Sequence, residues 1–234
     1  MTDTASVPTD RTKLKRRLHR GIYDREVIHS ILDEGFMCMV AYVHDGTPIV
    51  LPTGYGRIGD HLYIHGSNAS TMLGAALNGQ EVCVLVTHVD GLVLARSLYN
   101  HSVNYRSVVI FARAERVTDT EEKRASFRAY ADQVLKGRFD DVRPPNEKEL
   151  NSTTVMRIPI VEAVAKLRSG PGMDFDDDLE RDCWAGELLI KHSVSELIRD
   201  PRGRQDAAPP GYISGYEKLP SKGAQMVSNA ADEL

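Results

Sequence analysis

The sequence predicts an α+β fold, a small antiparallel barrel carrying a few peripheral helices. Three observations lead there. Six to eight short apolar runs follow one another with hairpin punctuation between them, clearest at Asp45-Gly46 and Gly59-Asp60. Only three longer segments carry apolar residues at helical spacing. The order of runs also lacks the β-α-β-α alternation of a parallel doubly wound sheet.

The elements follow in order. Residues 1–20 are polar and basic (Lys13, Lys15, Arg16, Arg17, Arg20) and read as a flexible, solvated arm. Asp24 opens a helix carrying Val27, Ile28, Ile31 and Leu32 on one face, and Gly35 ends it. Phe36–Val43, Pro48–Thr53 and His61–His65 form an antiparallel meander. A short helix is expected from Ser70 to Leu77. Glu81–Val89, apolar through its middle, reads as a buried central strand, with a turn at Asp90-Gly91 into Leu92–Arg96. A polar loop from Ser97 to Asn104 leads to the strand Ser107–Val117. Thr118 to Glu121 fits the Ser/Thr-x-x-Glu box that starts a helix, here running to Leu135. Asn146 caps a further short helix through Leu150. Thr153–Ile160, Ala163–Arg168 and Trp184–Ile190 are the remaining strands, and 191–234 is a C-terminal extension rich in Pro, Gly, Ala and Ser after Asp200.

Composition narrows the function classes. The 234 residues are 41% hydrophobic and 26% charged, as in an ordinary globule. A net charge of −4 gives no support to bulk nucleic-acid binding. No apolar run approaches the roughly 18 residues of a membrane span. The basic start lacks a signal-peptide core, and the Ala231–Leu234 echo of a retention tail has no entry signal to act with. Three cysteines without CxxC spacing suit a reducing cytoplasm, and Cys38 and Cys83 read as small core residues. The acidic run from Asp174 to Asp182 lacks the glycine of a calcium loop. His61 and His65, four apart on a strand, lie about 13 Å from each other, too far to share a metal. No metal site is therefore expected. GxxxxGK[ST], HExxH and GxSxG are all missing.

The most informative stretch is His61-Leu-Tyr-Ile-His-Gly-Ser-Asn-Ala-Ser-Thr-Met. A strand ends at His65, small residues follow, and a helix opens at Ser70 or Thr71. Backbone N–H groups and the hydroxyls of Ser67, Ser70 and Thr71 suit a phosphate, although a serine-capped helix that binds nothing has the same signature. Together with Pro48-Ile-Val-Leu-Pro-Thr-Gly-Tyr, Asn104-Tyr-Arg-Ser-Val-Val-Ile-Phe-Ala-Arg-Ala and Trp184-Ala-Gly, this stretch resembles the pyridoxamine 5′-phosphate oxidase-like superfamily of FMN-binding split β-barrels. The branch it looks most similar to is that of flavin-nucleotide-binding and nitroimidazole-resistance-like proteins. The resemblance spans about residues 15–190, with 21–190 as the FMN-binding domain.

The resemblance implies a split barrel, FMN as cofactor and a homodimer with flavin between two barrels. It implies flavin contacts from Val50, Leu51, Pro52 and Thr53, phosphate contacts from His65, Gly66, Ser67, Ser70, Thr71 and Met72, a ring-facing Ser107, and Trp184 near the ring, often given by the second subunit. Pyridoxamine phosphate oxidases carry Ser-Arg-Lys where this chain has Ser70-Thr71-Met72, so Arg57, Arg96, Lys166 or Arg168 would have to supply charge. Lys191-His-Ser-Val-Ser-Glu-Leu-Ile-Arg does not match the motif that grips the vitamin, so vitamin B6 oxidation is not expected. The expected function is a cytoplasmic FMN-binding oxidoreductase passing a hydride or electrons to a small electrophile, with His65, His101 and Tyr105 as catalytic candidates. The alternatives are a non-catalytic flavin- or heme-binding carrier or sensor, and a cofactor-free partner-binding barrel.

Overall fold

The structure, a computed structural model, describes residues 8–214; the Ala231–Leu234 tail and residues 1–7 of the arm lie outside them. Its elements are β1 (Gly21–Ile22), α1 (Arg25–Glu34), β2 (Met37–His44), β3 (Thr47–Gly54), β4 (Gly56–Ile58), β5 (His61–Ser67), α2 (Thr71–Ala76), β6 (Glu81–Leu94), β7 (Ser102–Arg113), β8 (Glu115–Arg116), α3 (Thr120–Val134), α4 (Arg138–Asp141), α5 (Glu147–Ser152), β9 (Thr153–Pro159), β10 (Glu162–Arg168), β11 (Gly186–Leu189) and α6 (Gly211–Ser214).

All strand pairs are antiparallel. One sheet runs β1-β10-β7-β6-β2-β3, with β11 added to β6; the second runs β4-β5-β9-β8. The two sheets enclose one core. Across the large sheet the inward row Val40–Val84–Ile110–Ala163 is buried and in register, and Leu62, Ile64, Met156 and Ile158 face it from the small sheet. Ile28, Ile31 and Leu32 of α1 plug the same core. This is the split barrel the sequence predicts.

Local chemistry explains most boundaries. Asp24 caps α1 by accepting from the Val27 N–H at 3.0 Å. Asp45 and Gly46 both have positive φ (48° and 76°), as a tight two-residue hairpin requires. Asn146 and Glu149 form a reciprocal capping box on α5.

Several expectations are corrected. Asp90-Gly91 is no turn: β6 runs straight through it, with a register shift between Val89 and Gly91. The stretch from Ser102 is strand, not loop, because Asn104 and Arg106 point inward to charged partners. The cap of α3 is Asp119, accepting from the Glu122 N–H at 2.7 Å, rather than Thr118. Trp184 precedes β11 instead of lying in it. Cys38 is core, but Cys83 lies half-buried on the outward face of the large sheet. Within the described part of the arm Thr12 is buried and Arg11 bridges Glu81 and Glu162 while lying 4.9 Å over the Phe111 ring, whereas Lys13, Lys15, Arg16 and Arg17 are exposed. No helix among the described residues is long and apolar enough to cross a membrane.

Candidate functional site

Two regions hold the residues nominated from the sequence. The first is the end of β5. Strand alternation turns Ile64 and Gly66 toward the core and His65 toward α3. There the His65 ring packs against Phe127 at 4.7 Å and Tyr130 at 5.0 Å, and makes no hydrogen bond among the described residues. Burial lowers its pKa and keeps the imidazole neutral. Beyond it, the Ser70 hydroxyl accepts from the Leu73 N–H at 3.3 Å and so caps α2. That helix is only six residues long, so its dipole adds little to anion binding. Thr71 and Ser67 are exposed, while Met72 is buried in the core.

No side chain within the Gly66–Met72 turn is cationic. Of the four cations expected to compensate, Arg57 is committed to Asp33, Arg96 to Asp174, and Arg168 to Asn104 and two backbone carbonyls. Lys166 sits across β10 from Ser107. A cation the sequence did not nominate lies nearer: Arg116 donates to Thr154 Oγ1 at 3.1 Å, and Thr154 donates to Asn68 Oδ1 at 2.8 Å. Only the β8–β9–β5 pairing, which spans some fifty residues of chain, brings it there.

The second region is the outward face of the large sheet. Its rows read Pro52–Met39–Leu85–Val109–Val164 and Val50–Ala41–Cys83–Phe111, and farther along the strands Thr87–Ser107–Lys166 and Val89–Tyr105–Arg168. Ser107 is buried and donates to the Lys166 carbonyl at 3.2 Å. Tyr105 is half-buried beside Val89. Val50 and Leu51 lie exposed on the edge strand β3, and Thr53 pairs with Cys38 on its inner side. Met39, Leu85, Val89, Leu92 and Val103 leave an apolar face uncovered, well beyond scattered surface apolars. At the far end, Trp184 is 66% exposed and folds over Gly186, where a Cβ would lie 2.8 Å from the indole. His101 is exposed, with Nδ1 bonded to the Ser97 carbonyl at 2.8 Å. Beside it, Arg96 Nε, Ser97 Oγ and Asn100 Nδ2 are buried without an acceptor among the described residues. Of these, Arg96 was nominated from the sequence as a cation, whereas Ser97 and Asn100 were not.

The nominated residues are spread along the large sheet. α2 leads into the start of β6, Ser107 pairs with Thr87 at its middle, and loop 96–104 follows its end. The end of β5 is tied to the middle of that sheet: His65 packs on Tyr130, the Tyr130 ring abuts Gly54, and Gly54 pairs with Met37, two residues along β2 from the Met39–Leu85 pair.

A split barrel with an open apolar sheet face defines the class. The pyridoxamine 5′-phosphate oxidase family model matches residues 24–167, and the chain belongs to that family. Among solved structures it is 36% identical to the flavocytochrome Anf3 from Azotobacter vinelandii, over 91% of this chain and 99% of that one, with a TM-score of 0.84. It is 32% identical to a FAD and heme binding protein from Mycobacterium smegmatis, over 84% and 96% of the two chains, with a TM-score of 0.79. A 5-nitroimidazole antibiotic resistance protein from Bacteroides thetaiotaomicron, so described provisionally, shares the fold at 22% identity and a TM-score of 0.53, over 62% and 85% of the chains. No curated protein matches the chain.

Proposed function

We propose that this chain is a flavin-binding redox protein that works as a homodimer, its flavin held between two barrels. The observation that carries the reading is the end-to-end similarity to a flavocytochrome, 36% identical over 99% of that chain. The three orphaned donors Arg96 Nε, Ser97 Oγ and Asn100 Nδ2 fit an acceptor-rich ligand edge, since buried donors left unpaired cost about 1–3 kcal/mol each. A bound flavin would supply the redox chemistry, delivering electrons to a small electrophile. The chain's own residues would hold and orient it, with Ser67, Ser70 and Thr71 toward phosphate and Ser107 and Trp184 toward the ring.

FMN is the nucleotide expected from the sequence, and FAD is the one in the name of a relative 32% identical to the chain; the turn offers hydroxyls and N–H groups to either. The dimer rests on the uncovered sheet face, whose apolar rows a two-fold partner would cover.

A second reading adds heme, as the names of the Azotobacter vinelandii and Mycobacterium smegmatis relatives include it or a cytochrome. His65 would be the residue to hold the iron, since its ring is kept neutral by burial and its nitrogens make no hydrogen bond among the described residues. His101 and Tyr105 remain the candidates for proton exchange at the cofactor edge.

The test is the protein as isolated. Its absorption spectrum, native mass and released nucleotide should give a dimer, a flavin band and either FMN or FAD. Anaerobic mixing with NADH or NADPH, then with a nitro compound or quinone, reads the reaction. A colourless chain that binds neither flavin would defeat the proposal; a Soret band lost in His65→Ala would add the heme.

A further inference from the structure

The segment from Lys191 to Pro209 behaves unlike the rest of the chain. It is tied down at both ends. At its start the Ile190 N–H donates to the Asp90 carbonyl at 3.0 Å, continuing the β11–β6 pairing. At its end Tyr212 donates to the Asp141 carboxylate and accepts from Arg138 Nη1 at 3.3 Å, both on α4. Between these anchors every residue is exposed. The hydrogen bonds within it, such as Arg202–Asp200 and Arg204–Asp206, are local, and none reaches the barrel among the described residues.

That exposure conflicts with the composition. Val194, Leu197 and Ile198 are 49%, 52% and 86% exposed. They stand at i, i+3 and i+4, after a Ser193-x-x-Glu196 capping box and ahead of Pro201, the pattern of a short amphipathic helix. No helix forms, because so short a one is not stable without something to bury its apolar face against. Among the described residues neither core cluster takes in that face.

The strap is also continuous with the uncovered sheet face. Leu188 of β11 pairs with Leu92 of β6, which pairs with Val103 of β7, and all three are exposed on the outward side. The strap therefore begins where the apolar face ends.

We infer that residues 191–200 form an exchanged arm: the strap of one chain packs its Val194, Leu197 and Ile198 on the barrel of a second copy, beside the proposed flavin site. The inference rests on the homodimer of the proposed function. It goes beyond that reading in assigning to the extension, which departs from the family motif, the work of closing the partner's site.

Two measurements test it. A photo-crosslinking residue at position 198, in dimers formed from mixed isotopically light and heavy chains, should give light–heavy crosslinked peptides mapping to the partner's barrel. Crosslinks confined to one chain, or a monomeric protein, would overturn it. The double variant Leu197→Asp/Ile198→Asp, whose exposed positions leave folding of the barrel intact, should raise the dimer dissociation constant roughly a hundredfold. An unchanged constant would also overturn it. The crosslink is read without regard to cofactor. A colourless dimer with interchain crosslinks thus ends the flavin reading alone, and a flavin-loaded dimer with intrachain crosslinks ends this inference alone.

Discussion

Gly56→Ala should loosen the wall behind His65, and the size of the effect can be worked from contacts. A Cβ at Gly56 would stand 2.5 Å from the Tyr130 backbone nitrogen, 2.7 Å from the Ala129 carbonyl carbon and 2.9 Å from the Tyr130 Cα. Ordinary contact begins near 3.4 Å, so α3 must retreat by about 0.9 Å. Backbone faces backbone here, and no side chain can rotate away. Overpacking of this kind costs about 1–3 kcal/mol, and a fixed helix puts the cost near the top. The alanine returns about 0.4–1 kcal/mol by restricting the unfolded chain, leaving a net loss of about 2–3 kcal/mol. At about 2–4 °C per kcal/mol for a chain of this size, the Tm should fall by about 5–10 °C. Gly74→Ala is the control. Nothing lies within 4 Å of its Cβ position inside α2, so the substitution should stabilise by up to about 1 kcal/mol. Thermal and urea unfolding of both variants check the pair. A Gly56→Ala protein melting at or above the wild-type temperature would refute the packing of α3 on β4, and with it the enclosure of His65.

His65→Phe keeps a ring between Phe127 and Tyr130 but removes a titrating group. The folded pKa of His65 lies below its unfolded value of about 6.5, so the unfolded chain takes up the proton first as the pH falls. Its contribution is full above about pH 6.5 and drains away as the pH drops toward the folded value; the variant's stability should lose part of that slope, the part from the similarly lowered His29 remaining. Arg106→Leu should cost about 3 kcal/mol, because it strands Asp90 and Glu34, now held at 2.8 Å and 2.6 Å, with no cation between them. Urea unfolding should show the loss shrinking in the triple variant with Asp90→Asn and Glu34→Gln. Ser70→Ala should destabilise by about 1 kcal/mol through loss of the α2 cap. Titrating the variant with FAD separates the roles: weakened affinity places the hydroxyl on phosphate, and unchanged affinity leaves it a cap alone.

What was legible in the sequence was whatever short-range chemistry decides. The positive φ of Asp45 and Gly46, the Asp24 cap and the Asn146 box are all set by residues within four positions of one another. Gly91 shows where this stops. Beside Asp90 it reads as a hairpin turn, yet its purpose is proximity: a Cβ there would lie 2.9 Å from the Leu188 carbonyl oxygen of β11, an atom about a hundred residues downstream. The polar run before Ser107 misleads for the same reason. Asn104 and Arg106 look like loop residues until β11 supplies Glu187 and α1 supplies Glu34. The barrel was readable because hairpins are local, while the strand that lengthens it was not, because its partner arrives last.

Assembly of the site is a different matter from legibility of its parts. Periodicity and resemblance nominate residues one chain at a time, and the fold spreads them over the large sheet, from the turn before α2 through Ser107 opposite Thr87 to loop 96–104 beyond β6. A face carrying Met39, Leu85, Val89 and Leu92 at 36–42% exposure would be costly to leave in water, and the proposed two-fold partner would cover it. Leu85→Asp at the middle of that face should then cost dimerisation and flavin together, whereas a site built within one barrel would lose only the first.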